Sequence, residues 1–184
     1  GSTPRLSGKK TLLLALAVLL VITVPAVLVP ALMAEPRRAD LPILGELPAM
    51  DLIDDEGKPL NEGTLFGNVT VVDFIFTRCD MVCPAMSMKM RAIQDQTRDV
   101  ADIKLLSITV DPVHDTPAVL AEYARQFAAD GRRWRFATGT PDEIQRVVVD
   151  GFKTFFENKG MTVRGAPDIA HGEHFLLVDR DGQL

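Results

Sequence analysis

The chain contains two cysteines, which lie four positions apart in the segment Cys79-Asp80-Met81-Val82-Cys83. Side chains at i and i+4 share one face of a helix, so both sulfurs can reach a single atom. Thiolates are soft ligands that suit Cu(I), and a helix N-terminus favours the thiolate over the thiol. The same spacing also permits a disulfide. Metal binding and thiol redox chemistry are therefore both open to this pair.

Two predicted elements position the cysteines. The run 69–76 is rich in β-branched and aromatic residues, which indicates a buried strand that ends just before Cys79. A helix is predicted to begin near Cys83-Pro84, because proline suits the first helical turn. The pair therefore lies on a strand-to-helix turn, which disfavours a third interpretation, two buried structural cysteines inside an element. The predicted inward face of the helix carries Met86, Met90 and Ile93.

The rest of the pattern alternates strands with helices. We predict a turn at 54–58, a second buried strand at 103–110 and a late strand at 175–179. Helices are predicted from Thr116-Pro117 and from the capping box at 140–143. This order predicts one α/β domain whose parallel or mixed sheet is covered on both faces.

A carboxylate inside the first buried strand needs an explanation, because an isolated buried charge is costly. Asp73 occupies such a position within the run 69–76. We expect its side chain to be paired or to lie at an exposed edge, rather than to act as a buried proton carrier.

The N-terminal region is predicted to anchor the domain in a membrane. Residues 11–34 carry no charge, and these 24 residues are enough to cross a bilayer core of ~30 Å as a helix. The run exceeds the ~7–15-residue core of a signal peptide, which disfavours cleavage. Residues 1–10 are interpreted as a cytoplasmic N-terminus or a cloning remnant, 35–46 as a linker and 47–184 as the domain.

The distribution of charge argues against one class of partner. The net charge is −5, of which residues 1–40 contribute +3, so the remainder carries −8. An acidic domain repels phosphate backbones. We therefore predict no nucleic-acid partner.

Four segments, in matching order, resemble the Sco/SenC family over about residues 47–184. FIFTRCDMVCPAM at 74–86 is similar to the family's pattern F-x-F/Y-T-x-C-x-x-x-C-P. SITVDPVHDTPAVLAEYA at 107–124 and ATGTPDEI at 137–144 resemble two further family segments. His171, followed by Phe175-Leu176-Leu177-Val178 and Asp181-Gly182, resembles the family's histidine and the strand after it.

The resemblance implies a thioredoxin-like fold, in which a central mixed sheet is flanked by helices, and the transmembrane helix predicted at 11–34 precedes this domain. It implies that Cys79, Cys83 and His171 hold copper as Cu(I) or Cu(II). It implies a metallochaperone rather than an enzyme, acting in the periplasm or an equivalent space outside the cytoplasmic membrane. Its expected partner is the oxidase subunit with the binuclear copper site of a haem-copper (cytochrome c) oxidase, to which it delivers copper or whose thiols it keeps reduced.

His174 is the alternative to His171 as the histidine ligand. A separation of three puts the two side chains on opposite faces of an extended segment, so only one can aim at the cysteines. The family's spacing to the following strand selects His171.

Three features differ from the family. Asp80 stands where many members have proline, which adds a negative charge beside the thiols. Ala170 stands where many members have aspartate, so a hydrogen-bond partner for the histidine is missing. The resemblance also predicts a further strand and a C-terminal helix after Leu184.

Two other functions use the same cysteines. A thiol-disulfide oxidoreductase shares the expected fold, but it usually carries C-x-x-C and a cis-proline just before the facing strand, whereas no proline lies between Pro167 and Phe175. A peroxidase of the peroxiredoxin type usually has P-x-x-x-T/S-x-x-C, and residues 75–78 before Cys79 contain no proline. We therefore place the copper chaperone first and the oxidoreductase second.

Overall fold

The structure is a computed structural model that describes residues 18–24, 41–79, 82–161 and 167–184. The chain divides into two units, residues 1–42 and 43–184. In the first unit, residues 18–24 form helix α1. The rest of the predicted transmembrane segment 11–34 and the first half of the predicted linker, residues 35–40, lie outside the described residues. Within the described ranges, no helix is both long and apolar enough to span a membrane.

The second unit contains eight described strands, six of which form one mixed sheet. In chain order the strands are β1 (Leu52–Asp54), β2 (Pro59–Leu60), β3 (Val69–Ile75), β4 (Ile103–Thr109), β5 (Trp134–Thr138), β6 (Phe156–Met161), β7 (Pro167–His171) and β8 (Leu176–Val178). The sheet order is β2-β1-β5-β4-β3-β8, with β3, β4 and β5 parallel and the other pairings antiparallel. Strands β6 and β7 pair separately as an antiparallel ribbon.

The predicted strands at 69–76, 103–110 and 175–179 are confirmed as β3, β4 and β8. The mixed sheet is confirmed as well. Strands β1, β2 and β5 and the β6–β7 ribbon were not predicted from the sequence pattern.

A helix follows each of the three parallel strands. These are α2 (Val82–Gln96), α3 (Pro117–Gln126) and α4 (Pro141–Gln145), the last of which continues as a π-helical turn over Arg146–Gly151. As predicted, threonines cap α3 and α4: Oγ1 of Thr116 accepts the N–H of Val119 at 3.4 Å, and Oγ1 of Thr140 accepts that of Glu143 at 3.2 Å.

The predicted capping box at α4 forms on one side only. Instead of returning to Thr140, the carboxylate of Glu143 accepts the N–H of Asp51 at 2.7 Å. That bond ties the chain entering the domain to α4.

Asp73 lies in the core rather than at an edge. Strand β3 lies between β4 and β8, and Asp73 has no exposed surface. Ser107 on β4 donates from Oγ to Oδ1 of Asp73 at 2.6 Å, and Nε1–H of Trp134 on β5 donates to Ser107 Oγ at 2.9 Å. The expectation of a paired side chain is confirmed, and the alternative of an exposed edge is wrong.

Candidate metal site at the turn from β3 to α2

The two cysteines occupy the turn that joins β3 to α2. Cys79 follows β3 and is partly buried, whereas Cys83 lies in the first turn of α2 with no exposed surface. The N–H of Cys83 donates to Sγ of Cys79 at 3.4 Å. Asp80 and Met81 lie outside the described residues. The pair is thus on a strand-to-helix turn, as its sequence context predicts.

The two cysteine side chains are thiols that interact with each other. The pKa of Cys83 is raised far above its ordinary value, first by the hydrogen bond between its thiol and the Cys79 side chain and then by burial. The negative charge of Asp73 adds a smaller contribution in the same direction. At Cys83 these effects outweigh the helix N-terminus, which was expected to favour the thiolate, so the thiol is the favoured form. Two sulfurs in contact at the start of a helix are a donor set that suits a soft ion such as Cu(I).

A buried carboxylate fixes the loop just before Cys79. Asp115 has no exposed surface and accepts three hydrogen bonds, from the N–H and Oγ1–H of Thr77 at 3.0 and 2.5 Å and from Oγ1–H of Thr109 at 2.5 Å. Hydrogen bonds to an ionised acceptor are roughly twice as strong as neutral ones. Because Thr77 is two residues before Cys79, these bonds connect the loop that carries Cys79 to Thr109 at the end of β4.

An ion pair holds the next residue of the same loop. Arg78 donates from Nη2 and Nε to Oδ2 of Asp111 at 2.6 and 3.1 Å. The Asp111 side chain is 9% exposed and that of Arg78 is 37% exposed, so water screens the pair from the arginine side. Asp111 and Asp115 both belong to the segment between β4 and α3. Neither carboxylate was assigned a role from the sequence. The signal that could have pointed to them was the resemblance of residues 107–124 to a family segment.

The structure places the histidines in three different settings. His171 ends β7, where its backbone pairs with Phe156, and its side chain is not among those described. Nε2 of His174 lies 3.2 Å from Oγ1 of Thr154, and His114 is exposed in the loop before α3. Among the described side chains, no group of three or more His, Cys, Asp or Glu residues forms a metal cluster. A shared ligand set of His171 with the cysteines therefore stays a prediction.

Comparison with known proteins identifies the family. A profile of the SCO1/SenC family matches residues 47–184. The chain belongs to the SCO1/SenC family. The SCO1 protein homolog of Bacillus subtilis is 29% identical over 145 residues, which are 78% of this chain and 73% of that protein. A SCO2-like protein of Rickettsia felis is 33% identical over 139 residues, covering 72% of this chain but only 64% of that protein.

Solved Sco structures share the fold. A SCO1/SenC family lipoprotein from Bacillus anthracis has a TM-score of 0.71 and 29% identity, with 79% of this chain and 85% of that chain covered. Copper-bound yeast Sco1 has a TM-score of 0.65 and 28% identity, with 77% of each chain covered. BsSco, a Sco-family cytochrome c oxidase assembly protein with a disulfide switch, has a TM-score of 0.66 and 29% identity, with 78% and 83% covered. The predicted central sheet with flanking helices is confirmed.

Replacing Asp115 tests whether the buried carboxylate holds the cysteine loop. Asp115→Ala leaves the N–H and hydroxyl of Thr77 and the hydroxyl of Thr109 without their acceptor, so we expect a loss of about 3 kcal/mol in the free energy of unfolding. Urea denaturation measures that loss, and alkylation of Cys79 in the folded protein is expected to become faster. Asp142→Ala, an exposed carboxylate in the first turn of α4, is the matched control. A stability within ~0.5 kcal/mol of the unmodified protein would refute the assignment.

Proposed function

We propose that this protein is a membrane-anchored copper metallochaperone that binds one copper ion through Cys79, Cys83 and His171. The observation that carries the proposal is the interaction between the two thiols at the start of α2. Sulfurs that already interact need little rearrangement to share one metal ion, so little free energy is spent on organising the site. The copper-bound structure of the related yeast Sco1 supports copper as the ion.

Each proposed ligand has a separate task. The thiolates of Cys79 and Cys83 favour Cu(I), and the imidazole nitrogen of His171 adds a donor that supports Cu(II). Asp115 and Asp111 act on the loop rather than on the metal, because both carboxylate oxygens of Asp115 accept from Thr77 and Oδ2 of Asp111 accepts from Arg78. A site that serves both oxidation states with three protein ligands leaves a position open for handing the ion on.

We infer that the recipient is the subunit of a cytochrome c oxidase that carries the binuclear copper site. The description of the related BsSco as an oxidase assembly protein supports this recipient. The protein would deliver copper there or keep the recipient's thiols reduced.

Residues 11–34 are proposed as a single-pass anchor in the cytoplasmic membrane, with the domain on the periplasmic or equivalent outer side. The support is their uncharged length in the sequence. A membrane location also fits an oxidase partner that is itself a membrane protein.

A thiol-disulfide oxidoreductase without a metal role is the second candidate. The interaction between Cys79 and Cys83 serves disulfide formation as well as shared ligation, and the related BsSco contains a disulfide switch. The two candidate functions differ in whether the reduced protein retains copper and in whether His171 contributes to the function.

Copper loading of the reduced full-length chain separates them. We expect one tightly held copper per chain and a thiolate-to-Cu(II) absorption band. Cys79→Ser and His171→Ala should each weaken Cu(II) binding by roughly 100-fold or more, because even groups outside the coordination shell are worth ~10–100-fold. His114→Ala removes an exposed loop histidine and is the matched control. A reduced protein that holds no copper, yet reduces insulin at thioredoxin-like rates, would establish the oxidoreductase instead.

The proposed recipient predicts a defect in the oxidase. Deleting the gene should lower the copper content and activity of the assembled oxidase, because its binuclear site is then not filled. The unmodified gene should restore both, whereas the Cys79→Ser variant should not. Normal copper content in the deletion strain, measured on purified oxidase, would exclude this recipient.

The proposed anchor predicts a membrane location that depends on residues 11–34. The full chain should remain in the membrane fraction after an alkaline carbonate wash, and the domain should become accessible to protease when the outer side is exposed. A chain lacking residues 1–34 should move to the soluble fraction. Release of the full chain by carbonate, or protection of the domain from external protease, would contradict the proposal.

A further inference from the structure

Position 172, directly after His171, leaves no room for a side chain. A Cβ on Gly172 would lie 2.5 Å from Cε1 of His174 and 2.8 Å from Cγ2 of Thr154. Both distances are far shorter than ordinary contacts between such atoms. The absence of a side chain at this position thus lets the His174 ring approach the end of β7.

The ring makes a specific hydrogen bond in that space. Nε2 of His174 lies 3.2 Å from Oγ1 of Thr154. The hydroxyl of Thr154 is also 3.4 Å from the carbonyl oxygen of Phe152, so the direction of its bond to His174 is set by the histidine tautomer.

Thr154 is itself a fixed point of the domain. It is only 1% exposed, and its N–H donates to the carbonyl oxygen of Val148 in the π-helical turn at 3.0 Å. Just after β7, the N–H of Gly172 donates to the carbonyl oxygen of Phe155, just before β6, at 3.0 Å. The backbone beside His171 is thus tied to the segment 154–156 through the main chain and again through the His174 ring.

We propose that His174 is a positioning residue, whose hydrogen bond to Thr154 fixes the end of β7 and with it the direction in which His171 meets copper. The inference rests on the proposed function. Groups that orient a metal ligand are worth ~10–100-fold in metal affinity. Because an imidazole donor matters more to Cu(II) than to Cu(I), the effect is specific to the oxidised site.

The test compares His174→Ala, His174→Gln and Thr154→Val in the full-length chain, with His114→Ala as the control. His174→Ala and Thr154→Val should each weaken Cu(II) binding by about 10-fold and shift the thiolate-to-Cu(II) band. Cu(I) affinity should stay within about 3-fold, since the thiolates dominate it. The double variant His174→Ala/Thr154→Val should bind Cu(II) no more weakly than either single variant, because both substitutions remove the same hydrogen bond. His174→Gln retains an N–H donor and should recover most of the Cu(II) affinity.

The outcomes separate this inference from the proposed function. Unchanged Cu(II) affinity and spectrum in His174→Ala would overturn the positioning role. Equal weakening of Cu(I) and Cu(II) with a parallel fall in melting temperature would also overturn it, as a purely structural effect. Loss of nitrogen ligation in His174→Ala but not in His171→Ala would make His174 the ligand instead. An unmodified chain that retains no copper would overturn the proposed function, and this inference with it.

Discussion

The carboxylate of Asp115 is fully buried and accepts hydrogen bonds from Thr77 and Thr109. A buried charge must be compensated by such bonds, because its desolvation otherwise costs several kcal/mol. The parallel register of β3 and β4, in which Ile75 lies opposite Thr109, brings these donors to one place. The sheet therefore determines where the carboxylate can lie, and the carboxylate determines the path of the loop into Cys79.

The proposed site draws on two parts of the fold that are held in different ways. The cysteine loop is attached to the core sheet through a charged group. His171 instead lies at the end of a separate two-stranded ribbon, which is attached through Thr154 and the π-helical turn. A metal ion bound by all three ligands would join the ribbon to the core sheet. The copper site would then stabilise the arrangement of the domain as well as depend on it.

Local patterns in the sequence account for much of the fold. The mainly apolar runs of β3 and β4 and the Thr-Pro caps of α3 and α4 are visible because each is contained in a few neighbouring residues. Strand β5 was missed because Arg135 interrupts its apolar residues, and β6 because its polar residues and Gly160 resemble a loop.

The cysteine pair was found for the same reason, since its spacing is local. The role of Asp115 could not be predicted, because Asp115 is 38 positions from Thr77 and the two residues meet only when β3 and β4 pair.

The two cysteines differ in solvent access, because Cys79 is partly exposed whereas Cys83 is fully buried. If Cys79 and Cys83 share one copper ion as proposed, exchange with an outside thiol would begin at Cys79, and Cys83 would release the ion last. The turn would thereby impose a kinetic order on ligand exchange, in which the exposed sulfur reacts first and the buried sulfur last.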